Sequence, residues 1–540
     1  MTSYDVVVLG SGIAGLAAAL CARENGLRTL VIEKAPKLGG STSNSWGVVW
    51  SGNNHLQGAV GCSDSRDETI SYMRFVAGGE AIEENLNAFV DRGPEALKFF
   101  ESCGIPFRVI RGMGDHYYGI APGGRAEGRN LEVELISGED LGEWQHRIHV
   151  PPFLPTYVTV EEILAWGGVN READWDKEIV RERKARDMRG KGLGLISHFV
   201  KALIARDVPI RAGEKVDRLD VADGRVTGVI MSSGEKISAR AGVVLATGGY
   251  EANPALVDAF EKMPNWMNIC PVSTTGDGLL MGNAAGGATH FIRNNMELFL
   301  GFEIPPGEAN PEPQFNIVGI VELFSPHTMV VNDRGERFGD ESYFQKLIPG
   351  LRHFDPMRHR YANLPCFMIF DQQYASKFSF ANVPAGAGIP DWVSRDDTIE
   401  GLAGKLGIDL AGLTKTIDRF NGFAGTGIDE DFHRGEIAWR LDAKSERDGP
   451  NPSLGPISKG PFYGIELRPC GSTSAGLLTN THAQVLDNGR NAIPGLYAAG
   501  NTAARVEFGT GYQAGFTLSS GMTFGYLAAQ HMRASSEVRT

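Results

Sequence analysis

The chain has 540 residues, among them 69 glycines, 27 prolines and six cysteines. Glycine stands at about 13% against a usual ~7%, but it follows no Gly-X-Y period and sits among Val, Ile, Ala and Leu, which excludes collagen and a flexible linker. A net charge of −13 argues against non-specific nucleic-acid binding, and no apolar run reaches the ~18 residues that a membrane span needs.

The length suits two to four domains' worth of material, or one large α/β domain carrying an insertion. Met1-Thr2-Ser3-Tyr4-Asp5 has no basic stretch, and the apolar run after it is short, so no signal peptide is expected. The cysteines (Cys21, Cys62, Cys103, Cys270, Cys366, Cys470) are scattered with no C-x-x-C pair. Reduced thiols and a cytoplasmic location are expected.

The first element is Asp5–Leu9, a β-branched run that predicts a buried parallel strand. It ends at Gly10-Ser11-Gly12-Ile13-Ala14-Gly15, a G-x-G-x-x-G. Leu16–Gly26 holds strong helix formers and a glycine stop. A second strand, Thr29–Ile32, ends on Glu33. Strand, turn, helix, strand and acid in this order predict a dinucleotide site, with phosphate at the helix N-terminus and ribose hydroxyls on Glu33.

The next residues, Lys34-Ala35-Pro36-Lys37-Leu38-Gly39-Gly40-Ser41-Thr42-Ser43, follow the strand directly. This tail resembles the flavoprotein pattern, in which a Gly-Gly pair and hydroxyls wrap the FAD pyrophosphate. Gly242–Gly249, a strand closing on A-T-G-G, and Ile493–Asn501 resemble the later parts of the same pattern. So do Thr274–Gly278, Val330–Phe338 (an N-x-x-G-x-R-F turn) and Gly511–Gly525. Across essentially its whole length the chain resembles the flavoprotein family of fumarate reductase, succinate dehydrogenase and 3-ketosteroid dehydrogenase.

The resemblance implies an α/β fold: a Rossmann-like FAD-binding domain split in sequence, with an inserted α+β substrate (cap) domain. The expected division is 1–285 and 462–540 for FAD, with 107–195 an elaboration near the active site, and 286–461 for the cap. Cofactor contacts are implied for Gly10, Gly12, Ile13, Ala14, Glu33, Lys34, Gly39, Gly40, Ser41, Thr42, Val216, Thr247, Gly248, Gly276, Asp277, Gly500, Asn501, Gly515, Thr517 and Leu518. Gly39–Gly47 holds no histidine, so FAD is expected to be non-covalent. A second dinucleotide motif is missing from the middle of the chain, and no metal ligands are expected. The electron acceptor is then a quinone-like molecule or a protein.

Two branches of the family remain. Dicarboxylate reduction needs cationic clamps, but the segment after Phe338 reads Gly339-Asp340-Glu341-Ser342-Tyr343-Phe344-Gln345, and the last loop is Tyr512-Gln513-Ala514-Gly515. Arg505 and His327 are the remaining cationic candidates for that alternative, an ene reductase acting on an unsaturated acid or enone. A mere flavin binder would need no such loop. The ketosteroid branch matches Tyr512, Gly515, Thr517-Leu518 and Met522–Gly525, and also Gly114–Tyr118 with Pro122–Arg125 and Gly128-Arg129.

That resemblance implies dehydrogenation next to the ketone of a 3-ketosteroid or related hydrophobic cyclic ketone. Tyr512 and the Gly515 N–H polarise the carbonyl. A tyrosine whose pKa is lowered by its neighbours takes the α-proton. This base falls to Tyr343, on a loop two residues out of the family's register, or to Tyr117, Tyr118 or His116. The run Arg181–Arg186 is expected to be a solvated face.

Overall fold

The computed structural model describes residues 2–152, 154–307, 314–317, 322–381, 383–437 and 451–537. The first strand, Thr2–Leu9, lies parallel between Thr29–Glu33 and Lys236–Leu245. Ala492–Ala498 joins parallel to Lys236–Leu245, and Ile210–Ala212 joins parallel to Thr29–Glu33. Val6, Val7 and Val8 are fully buried, as a strand covered on both faces requires. A meander of Val216–Ala222 and Arg225–Met231 and a last antiparallel strand, Gln484–Leu486, complete this eight-stranded sheet.

The helix Ile13–Glu24 leaves the glycine turn and packs against the C-terminal helix Phe516–Glu537. The contact is close because the facing residues are small. A Cβ on Gly525 would come within 2.6 Å of the Ala14 carbonyl oxygen.

A second sheet is antiparallel, in the order Gln314–Ile317, Leu298–Ile304, Phe462–Gly471, Cys366–Asp371, Thr328–Asn332, with Ser394–Asp396 on Phe462–Gly471. The helices Ile399–Leu406 and Leu410–Thr426 cover one face, where Leu413, Ile417 and Phe420 pack on Met329, Val331, Phe367 and Ile369. This gives the mixed α/β layout expected from sequence, a dinucleotide fold with an inserted α+β unit. Phe462–Gly471 was expected to open the returning FAD segment at 462. It pairs instead within the second sheet, and the chain rejoins the first sheet at Gln484.

A small third sheet joins Val49–Trp50, Asn130–Val133 and Phe107–Val109. The chain between its last two strands includes Gly112, Met113 and Gly114, which line the cavity described below.

Candidate active site

One continuous cavity runs from the end of the second strand to the start of the C-terminal helix. Gly10, Gly12, Ile13, Ala14, Glu33, Lys34, Gly40, Ser41, Thr42, Val216, Thr247, Gly248, Asp277, Gly500, Asn501, Gly515, Thr517 and Leu518 all line it. Gly39 and Gly276 do not line it. Each is the left-handed residue that starts a helix, φ +114° and +78°, so they shape the cradle from behind.

The glycine turn is fixed by its neighbours. Gly10 has φ +105°, and a Cβ there would sit 2.1 Å from the Ala246 carbonyl oxygen. Glu33 accepts from the Ser11 N–H (2.9 Å) and hydroxyl (2.8 Å) and from the Ala35 N–H (2.8 Å). Its carboxylate therefore holds the turn as well as facing the cavity. Lys34 pairs with Asp277 at 2.8 Å, locking the second strand to the helix Asp277–Ala284.

This cradle fits FAD. The cavity is long, and beside Gly12 an added Cβ would meet, among the described residues beyond its chain neighbours, only the Thr42 hydroxyl, at 3.7 Å. Thr42 in turn accepts from the Ile13 N–H at the helix start. Asn501 Oδ1 is buried at the cavity with no hydrogen-bond partner among the described residues, an acceptor left for a ligand to satisfy.

Beyond the cradle the wall turns apolar, with Trp46, Val48, Met113, Val160, Ile163, Leu164, Val169, Ile269, Phe299 and Phe344. Several of these come from 107–195, so this stretch does reach the cavity. Tyr512 lines the same end, its ring near His116 (4.9 Å), Phe344 (5.5 Å) and Phe299 (5.7 Å). Gly515 lies beside it at φ +92°, where a Cβ would come within 2.7 Å of the Trp50 nitrogen.

The other tyrosines stand differently. Tyr343 is buried, and its hydroxyl donates to the His116 carbonyl at 3.0 Å. Its ring lies 4.8 Å from His116 and 5.9 Å from Tyr117. Tyr343 and Tyr117 thus pack behind Tyr512 and are not part of the cavity wall. Tyr118 sits half-buried further along the turn, its N–H on the Asp115 carbonyl. Burial pushes the hydroxyl pKa of both Tyr343 and Tyr117 well up; Tyr117 and Tyr512 add to the effect at Tyr343, whereas a hydrogen bond with the Tyr512 backbone partly opposes it at Tyr117. The sequence reading asked for a lowered value. The packing works the other way, because it removes water from these hydroxyls.

Two buried ion networks hold the pieces in register. Arg129, fully buried, pairs with Asp64 at 2.7 Å and Asp115 at 2.8 Å. Asp115 also accepts from the Trp50 indole (2.8 Å) and the Arg125 N–H (2.9 Å). Arg337 pairs with Glu341 (2.7 Å) and Asp429 (2.8 Å), and Arg434 binds the carbonyls of Thr328 and Ser325. The second network fixes Glu341–Gln345, and Gln345 meets the His116 ring at 2.7 Å.

Gln513 was not singled out from sequence, yet it clamps the site. Its side-chain oxygen accepts from the Tyr72 hydroxyl and the His116 N–H (2.6 Å), and its amide donates to Asn130 (3.2 Å) and to the Ala514 carbonyl (3.1 Å). A glutamine directly after Tyr512 in the last loop was the available signal. Arg505 and His327, the two cations kept for a dicarboxylate, are engaged elsewhere. Arg505 pairs with Glu297, and His327 meets the Pro456 carbonyl at 2.7 Å. Among the described residues the cations lining the cavity are Lys34 and Lys215, both at the Glu33 end.

The comparisons bear on the family. The family model described as an FAD binding domain matches residues 5–518. The chain is 35% identical to a 4-oxocyclohexanecarboxylate 2-dehydrogenase of Sinomonas cyclohexanicum, over 98% of this chain and 92% of the relative. It is 33% identical to a 3-oxosteroid 1-dehydrogenase of Mycolicibacterium smegmatis, over 99% and 98%. A solved 3-ketosteroid delta1-dehydrogenase from Sterolibacterium denitrificans, in complex with 1,4-androstadiene-3,17-dione, superposes with a TM-score of 0.87 at 28% identity, over 99% of this chain and all of that one. With its dinucleotide cradle and apolar, tyrosine-bearing end, the chain belongs to the FAD-binding-domain flavoproteins, among the FAD-dependent oxidoreductases related to the 3-oxosteroid and 4-oxocyclohexanecarboxylate dehydrogenases.

Proposed function

We propose that this enzyme introduces a C=C bond next to the ketone of a 3-ketosteroid or a related neutral cyclic ketone. The observation that carries the reading is the shared cavity: Tyr512 and Gly515 line its apolar end, and the FAD cradle lines the rest. Bound FAD supplies the two-electron acceptor that takes the β-hydride. The Tyr512 hydroxyl and the Gly515 N–H donate to the ketone oxygen and stabilise the enolate charge that develops there. This acidifies the α-carbon. The α-proton is taken by a tyrosinate, the ionised fraction of Tyr343 or Tyr117, which becomes the neutral phenol; the two rings lie 5.9 Å apart behind Tyr512. Electrons then leave to a quinone-like or protein acceptor.

The cavity supports a neutral substrate. With Lys34 and Lys215 at the far end, a carboxylate at the apolar end has no described cation to pair with, and an unpaired charge in a closed site is costly. The same point weighs against the ene reductase of an unsaturated acid. Anaerobic mixing of the holoenzyme with 4-androstene-3,17-dione, and separately with 4-oxocyclohexanecarboxylate, tests the reading. The neutral ketone is expected to bleach the oxidised-flavin absorbance. If neither compound does, the ring-ketone reading fails.

A tyrosine base that burial keeps protonated has a consequence for pH. Turnover is expected to climb steadily from neutral into the alkaline range, as the fraction of ionised hydroxyl grows. A turnover number that stays flat over this range would remove both Tyr343 and Tyr117 as the base.

A further inference from the structure

Lys191 is fully buried, yet none of the chemistry above uses it. It opens the helix Lys191–Ile204 with φ +54°, a left-handed value unusual for a side chain of this size. Its ammonium donates to two backbone carbonyls, Pro155 (2.7 Å) and Val158. It also lies 5.5 Å from the centre of the Trp46 ring. Burial brings this ammonium down to about 7, while Glu132 and Glu162 favour its charged form. A lysine held at such cost in a left-handed backbone is doing something that an apolar residue would not.

The elements that meet there are informative. On one side is the loop of the FAD cradle. Gly192 donates to the Ser45 carbonyl at 3.1 Å, and a Cβ on Gly47 would strike the Lys191 backbone at 2.1 Å. On the other side is the segment 155–158, which leads into the short helix Val160–Ala165. Glu132, itself buried, accepts the Val160 N–H at 2.6 Å. Glu162 closes a capping box with Thr159 and takes both ends of the Arg183 guanidinium at 2.6 and 2.7 Å. Arg183 was expected on a solvated face; it reaches inward instead. Val160, Ile163 and Leu164 from this helix line the apolar end of the cavity, and Val160 belongs to the same cluster as Met113 and Ala514, next to Gly515.

We propose that Lys191 is a positioning residue for substrate: its ammonium ties segment 155–158 to the cradle loop and so sets where helix Val160–Ala165 walls the ketone pocket. The link to substrate rests on the ring-ketone reading above. The link to the helix does not.

Two measurements on the holoenzyme separate them, using the parent protein, Lys191→Met and Lys191→Arg. The first is hydrogen exchange of the amides in 155–166. Losing two hydrogen bonds from a charged donor is expected to speed exchange there by on the order of tenfold in Lys191→Met, with Lys191→Arg close to the parent and the FAD-to-protein absorbance ratio unchanged in both. Unchanged exchange in Lys191→Met, or loss of FAD with exchange rising throughout the chain in both variants, overturns the tether. The second is steady-state kinetics with the ketone that bleaches the parent. KM is expected to rise on the order of tenfold in Lys191→Met with kcat within about twofold, and to recover in Lys191→Arg. A parent-like KM together with faster exchange overturns the substrate role and leaves the tether. If no ring ketone bleaches the parent, the functional reading is what fails, and the exchange data still decide the tether.

Discussion

Tyr512→Phe is expected to lower turnover of the ring ketone by about 10²- to 10³-fold, the usual loss when one donor to a developing oxyanion is removed. FAD content is expected to stay at the parent level. The ring itself remains, so its contacts with His116, Phe299 and Phe344 are kept and the apolar end keeps its shape. Only the hydroxyl is lost. Its effect falls on kcat, because the donor is worth more to an enolate oxygen than to a ketone oxygen. Stopped-flow measurement of the anaerobic reductive half-reaction reads this step directly. A bleaching rate within a few-fold of the parent would take Tyr512 out of the chemistry and leave it as packing.

Arg129→Met is expected to cost roughly 3–5 kcal/mol of folding stability, because it leaves partners of a buried ion network unpaired. Arg129, Asp64 and Asp115 have fully buried side chains. Burial already holds Asp115 above the usual carboxylate range with Arg129 in place. Without the guanidinium, Asp115 rises further, Asp64 loses the partner that holds it below the usual carboxylate range and rises too, and both take up protons in the fold. The folded variant then binds more protons than its unfolded chain at pH values above the unfolded aspartate pKa of ~3.9. Its stability falls as pH rises from there, so its deficit against the parent is larger at about pH 8 than at about pH 5. Denaturant unfolding of the holoprotein at both pH values checks this. Equal midpoints for variant and parent would show that the network contributes nothing net.

The same substitution reaches the active end by a traceable route. Asp115 holds the Trp50 indole, and the Trp50 backbone nitrogen packs on Gly515. Asp115 also anchors the turn that carries His116 and Tyr117. An arginine far from the chemistry in sequence thus stands behind the proposed carbonyl site with two residues, Asp115 and Trp50, between them.

The dinucleotide half was legible because its signals are local. A β-branched run, three glycines at fixed spacing and a terminal acid each answer to a backbone requirement within a few residues. Nearly all the cradle residues read from these motifs line one cavity. Gly39 and Gly276 are the exceptions, and both are still turn-forming, since a left-handed φ and a cavity-facing surface leave the same glycine signature. Tyr512 and Gly515 were legible for a different reason: the last loop adjoins a motif already recognised.

The rest depended on residues distant in sequence. Gln513 acts through the His116 N–H, 397 positions away, and no spacing rule spans that gap. Phe462–Gly471 reads as any apolar strand, and only its partners assign it to the second sheet. Arg183 shares the composition of its solvated neighbours, and only Glu162 draws it inward.

By itself, the sequence determined the fold class and the cofactor, and its resemblance to the ketosteroid branch pointed to the two donors proposed for the ketone oxygen. Each rests on a motif within one short segment. The tertiary structure decided the surroundings: that burial pushes the Tyr343 and Tyr117 hydroxyls toward their protonated form, that Arg505 is paired to Glu297, and that Lys191 donates to the segment leading into the helix Val160–Ala165. The physical reason is common to all three. Desolvation and ion pairing depend on which distant segments exclude water around a group, and burial is a property of the assembled fold.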